Sequence, residues 1–232
     1  MKIIRLSSKE KTLGDAANFE DAANDAARYI SAGKIVILPT STIYGLSCAC
    51  DNKNALEKIY ELKQRPRNLP FIVLISKIDS LLQLVADINA TADILIKNYW
   101  TGKNIQPDKN SQPDKTIQPL TLVFKKNNSL DSFIAGGGKK IAIRLDGLEI
   151  LKKIIELSGP IVSTSATISG MSLSPKNIKE IPEVIKKNAD LIIDLCVDLP
   201  GTASTIIDVT GPEPVLIREG ALKYDKVLDE LF

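Results

Sequence analysis

The 232-residue chain contains no histidine. That absence excludes Ser-His-Asp hydrolysis, Cys-His nucleophiles and histidine-ligated metal centres. Cysteine is scarce as well. Cys48, Cys50 and Cys196 are too few and too dispersed for a disulfide framework or a Cys-x-x-Cys pair. Cys48 and Cys50 alternate along one apolar run and read as small buried hydrophobes. A reducing, cytoplasmic setting is the expectation that follows. No apolar run approaches the roughly 20 residues of a membrane-spanning helix. Residues 1–8 are too short for the hydrophobic core of a signal peptide, so no membrane association is expected. Aromatic residues make up 5% of the chain and the formal net charge is only +2. Both are low for a nucleic-acid binder, and any RNA contact is expected to be weak.

What remains is the composition of a folded protein, 44% hydrophobic and 25% charged. Residues 15–32 place Ala22, Ala23, Ala26, Ala27 and Ile30 at helical spacing, with Gly33 where a helix stops. Residues 34–38 read as a strand ending at Pro39, which delivers Thr40, Ser41 and Thr42 to a turn. A helix follows, capped by Asp51 or Asn52, apolar along Ala55, Leu56, Ile59 and Tyr60, and stopped by Pro66. Further strands are expected at 70–75, 120–124, 141–145, 190–195, 203–209 and 214–218. Helices are expected at 80–85, 89–100, 148–157 and from Ser174-Pro175 onward. Strands and helices interleave without a linker, so 1–232 reads as a single α/β domain with a large twisted, mixed parallel and antiparallel sheet flanked by helices. Residues 104–118 interrupt the pattern with two near-copies, Gln106-Pro107-Asp108-Lys109 and Gln112-Pro113-Asp114-Lys115. They read as an exposed polar insertion acting as a passive loop.

Three stretches stand out chemically: Pro39-Thr40-Ser41-Thr42-Ile43-Tyr44-Gly45-Leu46, Lys63-Gln64-Arg65-Pro66 and Ser163-Thr164-Ser165-Ala166-Thr167-Ile168-Ser169-Gly170. A phosphate or carboxylate is bound by clustered N–H donors, hydroxyls and a planar guanidinium, and these segments offer all three. Cations in the last turn of a helix can equally be there to complement its dipole. Arg144 and Arg218 are further candidates. No acid–base pair and no nucleophile with an activating base stands out. Such a site works by positioning and charge stabilisation, which suits nucleotidyl or phosphoryl transfer.

In order along about 20–222, these stretches resemble the YrdC-like threonylcarbamoyl-AMP synthases. That family is marked by PT[DE]T-x-YGL, Lys-x-Arg before Pro, Trp-x-Gly-Pro-Leu-Thr, Ser-Ala-Asn-x-Ser-Gly, and a late Ser-Thr strand followed by Arg-x-Gly. Here the counterparts of the third and fifth are Trp100-Thr101-Gly102 with Pro119-Leu120-Thr121, and Ser204-Thr205 with Arg218-Glu219-Gly220. The resemblance implies a nucleotidyltransferase that makes threonylcarbamoyl-AMP and pyrophosphate from L-threonine, bicarbonate and ATP. The product would feed N6-threonylcarbamoyladenosine in tRNA through downstream transfer proteins. It implies Lys63, Arg65 and Ser165 as catalytic residues, with Lys63 and Arg65 facing the triphosphate. Thr40, Thr42, Thr121, Arg144, Ser163, Thr167, Ser204 and Arg218 would line the substrate and ATP pocket. Mg²⁺ would arrive with ATP, and no protein-built metal site is expected. Three positions depart from the pattern: Thr167 replaces asparagine, Ser41 replaces an acidic residue, and Leu74 stands near a histidine of many relatives. The alternatives are a non-catalytic RNA-binding module, a member without activity, and a related carbamoyl-adenylate module of hydrogenase maturation, whose zinc-finger segments three dispersed cysteines do not supply.

Overall fold

The computed structural model describes residues 1–6, 13–101 and 117–231. Ten strands form one sheet: β1 (Lys2–Arg5), β2 (Val36–Pro39), β3 (Tyr44–Ala49), β4 (Ile72–Ile75), β5 (Leu120–Lys125), β6 (Lys140–Leu145), β7 (Ile161–Ser165), β8 (Leu191–Asp194), β9 (Thr205–Asp208) and β10 (Val215–Arg218). Their order is β1-β8-β2-β3-β7-β4-β6-β5-β9-β10, with parallel and antiparallel neighbours mixed. The helices are α1 (Leu13–Ser31), α2 (Lys53–Lys63), α3 (Leu81–Leu84), α4 (Ala90–Leu95), α5 (Glu149–Ser158), α6 (Glu183–Lys187) and α7 (Tyr224–Asp229). The expected α/β architecture with a large mixed sheet is present. The expected insertion at 104–118 lies outside the described residues except for its last two.

Strand alternation divides the sheet into two unlike faces. Ile37, Leu46, Cys48, Val73, Ile75, Leu122, Phe124, Ile141, Ile143, Val162 and Ile207 point one way, into a core closed by α2, α3, α4, α6 and α7. The opposite face is covered only in part. Val36, Leu38, Ala49, Leu74, Ile161, Leu191 and Ile193 pack there under α1 and α5. Ala22, Ala23 and Ala26 let α1 lie close to that surface. Beyond α5 no described helix covers the same face through Ala142 and Arg144, Val123, and Ile206, where it becomes the wall of a cleft.

Four local expectations need correction. Residues 44–49 form β3, where the sequence suggested a turn running into an apolar stretch. Tyr44 and the small residues after it pair on both sides, with β2 and β7. Ser163 and Ser165, whose hydroxyl-rich stretch after the apolar Ile161-Val162 reads from sequence as a turn, belong to β7. The helix expected from Ser174-Pro175 is absent among the described residues until Glu183. There the backbone serves tertiary bonds, Tyr44 N to Pro175 O and Leu199 N to Lys176 O, while the Asn177 side chain caps Lys179 and Glu180. The helix expected at 89–100 begins as α4 and widens into a π turn over Ile96–Trp100. Trp100 Nε1 donates to Leu120 O at 3.0 Å and Gln118 N to Tyr99 O at 2.8 Å. The two separated halves of the Trp and Pro-Leu-Thr stretch are thereby joined in space.

Candidate active site

The uncovered sheet face forms a cleft of about 490 Å³. Its polar lining comes from Thr40, Thr42, Arg65, Arg144, Ser163, Ser165, Ser204 and Arg218, and its apolar floor from Ile72, Leu74, Val123, Ala142 and Ile206. Eight of the eleven residues singled out from sequence therefore meet in one place. Lys63, Thr121 and Thr167 are buried next to that lining rather than in it.

The end of α2 shows how one tripeptide serves two places. Asn52 caps the helix, accepting from Ala55 N at 3.0 Å, and Gln64 ends it in the left-handed region, with φ of 52°. A non-glycine residue there costs on the order of 1 kcal/mol. Through that turn Lys63 and Arg65 part company. Lys63 is 1% exposed, and its Nζ donates to the carbonyls of Ser165 and Thr167 and to Ser165 Oγ at 3.3 Å. Arg65 turns to the cleft, donating to Pro70 O at 2.8 Å and lying over the Phe71 ring at 5.4 Å. Lys63 thus ties the end of β7 at Ser165 to the turn at Thr167, while Arg65 presents its guanidinium to whatever enters.

The other walls are as closely tied. Arg218 donates to Ser204 O at 2.8 and 3.2 Å, and Thr121 and Ser204 share a hydroxyl bond of 2.8 Å. Thr121 therefore acts on the cleft through Ser204. Thr40 Oγ1 donates to Ile43 O and accepts from the Thr42 and Ile43 amides, which closes the turn between β2 and β3. Thr167 shares a bond with Ser165 Oγ at 3.0 Å, so the residue in the asparagine position holds the serine beside it. Leu74 is paired with Arg144 in the sheet and offers that spot no polar group.

Gly45 pairs with Ser165 across β3 and β7, and a Cβ there would stand 2.2 Å from the Oγ of the diagonal neighbour Ser163. That hydroxyl is already held by Ser47 Oγ at 3.1 Å. Gly45→Ala is expected to destabilise the fold by about 1–3 kcal/mol through overpacking. The effect should largely vanish in a Ser163→Ala background. Denaturation of the four members of this cycle measures it, and equal losses in both backgrounds would refute the contact.

Burial, then the nearby charges of Arg144 and Arg65, lowers the Arg218 pKa. Burial also lowers that of Arg65, and burial followed by Arg65 brings Lys63 down to about 7. Four cations thus share a small space. The only carboxylate bonded to them among the described residues is Asp146, which is held by Arg144. Two buried atoms lack a partner among the described residues, Arg144 Nε and Ser169 Oγ. Sequence reading missed Asp146 because the four groups that bond it come from three residues, Ser41 (amide and hydroxyl), Arg144 and the Leu148 amide, a set that no local pattern announces. It also missed Phe71, the platform under Arg65, and the rim formed by Met171, Ser172, Leu173 and Ser174.

The fold and site define an α/β protein with a cationic, hydroxyl-lined cleft on an open sheet face, suited to a multiply charged anion. A family model matches residues 28–220, that of the Sua5/YciO/YrdC domain, described as telomere recombination, and the chain belongs to this family. It is 36% identical over 210 residues to the threonylcarbamoyl-AMP synthase of Pyrococcus abyssi, covering 89% of this chain and 57% of that protein. A crystal structure of P. abyssi Sua5 complexed with L-threonine superposes with a TM-score of 0.82 at 32% identity, over 100% of this chain and 61% of the other. The structure of E. coli YciO superposes at 0.76 with 23% identity, over 96% and 98%, and shares the fold. The chain spans somewhat more than half the length of the Pyrococcus protein.

Proposed function

We propose that the protein is an L-threonylcarbamoyladenylate synthase, a nucleotidyltransferase acting on L-threonine, bicarbonate and ATP. The observation that carries this reading is the convergence of Arg65, Arg144 and Arg218 on one hydroxyl-lined cleft. The names of the Pyrococcus relative and of its threonine complex support the choice of substrates.

In the proposed reaction the threonine amine and bicarbonate give a carbamate and water. A carbamate oxygen then attacks the α-phosphorus, and the bond to the β-phosphate oxygen breaks to release pyrophosphate. Negative charge accumulates on the phosphates, where guanidinium groups aimed in advance stabilise the transition state more than the ground state. Arg65 can span two oxygens with its planar fork. Ser163 and Ser165 add hydroxyl donors on the β7 side of the cleft. Lys63 acts one layer below, by holding the Ser165–Thr167 backbone. Mg²⁺ would enter on the triphosphate, where it neutralises phosphate charge.

The proposal extends to a cytoplasmic role in tRNA modification, with separate proteins passing the activated group to tRNA. No described helix is long and apolar enough to cross a membrane. The RNA-binding alternative draws on a wider, shallower depression of about 850 Å³ near Lys2, Arg28, Lys34 and Lys187. Lys2 and Arg28 are both tied to Asp25, and Lys34 lies 3.8 Å from Asp190, so much of its charge is spent. Weak RNA contact is all it supports. The deciding experiment is pyrophosphate release from ATP with and without L-threonine and bicarbonate, with mass spectrometry of the products. Release that needs both, with threonylcarbamoyl-AMP formed, is the expected result. Tight RNA binding without turnover would overturn it.

A further inference from the structure

We propose that Asp146, just past the end of β6, is the positioning residue that sets Arg144 and the Thr40–Thr42 turn for the bound anion. In assigning a reacting phosphate to Arg144, the inference rests on the synthase reading. The arrangement itself does not.

The side chains of Arg144 and Asp146 are 5% and 0% exposed. Asp146 Oδ1 accepts from Ser41 N at 3.0 Å and from Leu148 N at 3.0 Å. Oδ2 accepts from Ser41 Oγ at 3.2 Å and from Arg144 Nη2. The same Nη2 reaches Ser41 Oγ at 2.5 Å, while Nη1 donates to Thr42 Oγ1 at 2.9 Å. Both terminal nitrogens of Arg144 are therefore fixed from one side, by one carboxylate and one turn. In the sheet that turn, which joins β2 to β3, and the end of β6 are separated by β7 and β4, yet they touch. The contact is made beyond the strand ends, and Asp146 is the charge that closes it.

A buried guanidinium left without this partner would retain its charge, since arginine does not deprotonate in proteins. It would then seek other acceptors and lose its fixed aim. An acidic side chain at position 41 could do the same work from the turn. Here position 41 is serine and its hydroxyl already lies against Arg144, so a carboxylate at 41 would reach the guanidinium that Asp146 now holds. Ser41 and Asp146 are 105 positions apart in the chain and meet in space.

Three variants test this: Asp146→Asn, Asp146→Ala, and Asp146→Ala combined with Ser41→Asp. Loss of aim at a reacting group lowers turnover by about 10- to 100-fold. That fall is expected in kcat for both single variants, with KM for ATP within about threefold. The double variant should recover to within about threefold of the parent. The side-chain Nε–H signal of Arg144, followed by nuclear magnetic resonance, provides a readout independent of turnover. It is expected to be sharp in the parent, broadened in Asp146→Ala and sharp again in the double variant. An unchanged signal in Asp146→Ala, or no recovery with Ser41→Asp in a folded protein, would overturn the inference. Asp146→Asn keeps acceptors for Ser41 N and Leu148 N, so it serves where the alanine variant does not fold. If the parent forms no threonylcarbamoyl-AMP, the synthase reading fails, and the Arg144 signal still decides the role of Asp146.

Discussion

Replacement of Arg65 by alanine is expected to lower kcat/KM for ATP by about 10²–10³-fold, the usual cost of one donor aimed at developing charge. The fold should barely notice. Arg65 is half-buried at the cleft rim, and what it gives the native state is two bonds to the carbonyls of Leu69 and Pro70 and its place over Phe71. Loss of these amounts to about 1 kcal/mol, or roughly 2–4 °C in Tm for a chain of this length. The decisive comparison is steady-state turnover beside thermal unfolding of the same preparation. Arg65→Lys should recover little, because an ammonium cannot bridge two phosphate oxygens as a planar fork can. Full turnover in Arg65→Ala would remove Arg65 from the proposed site. A variant that simply melts would show the residue to be structural.

Lys63→Met is expected to act in the opposite sense, on the fold first and on turnover through it. Methionine preserves the volume but leaves the Ser165 and Thr167 carbonyls without the ammonium that now bonds them. Stranding buried acceptors costs about 1–3 kcal/mol each. A loss of about 3 kcal/mol corresponds to roughly 6–12 °C in Tm. Turnover should drop as well, by about 10²-fold, because Ser165 ends β7 at the released junction. The pH dependence distinguishes this account from simple loss of packing. Burial and the Arg65 charge hold the folded Lys63 pKa near 7, below its ordinary value of about 10.4. Between those values the unfolded chain binds more protons, so the contribution of Lys63 to stability grows as pH rises through that window. The gap in unfolding free energy between the parent and Lys63→Met should therefore widen between pH 7 and 10, by at most about 1.4 kcal/mol per unit. Urea unfolding of both proteins at pH 7 and 9.5 measures it. A gap that stays constant would show that Lys63 is not deprotonated in this range.

The two cations bracket Gln64, and their division of labour explains why neighbours in sequence differ so much in burial. The helix must end between them for one to point inward and the other outward. The left-handed turn at Gln64 accomplishes this. Pro66 only prevents the helix from resuming.

Much of this was written in the chain. Alternation made β5 and β6 legible, and heptad-like alanines with Gly33 marked α1 almost to its ends. The absence of histidine limited the site to cations and hydroxyls, and eight of eleven chosen residues do line one cleft. These features are local: periodicity, caps and side-chain chemistry act over a few residues and leave their mark there. The tertiary structure alone decided the rest. It determined that Lys63 lies beneath the site while Arg65 faces it, that α1 and α5 cover one half of a sheet face and leave the other open, and that Ser41 and Asp146 meet. Such outcomes depend on which strands become neighbours and how far the sheet curls. They are set by the packing of the whole core, to which no single stretch of sequence corresponds.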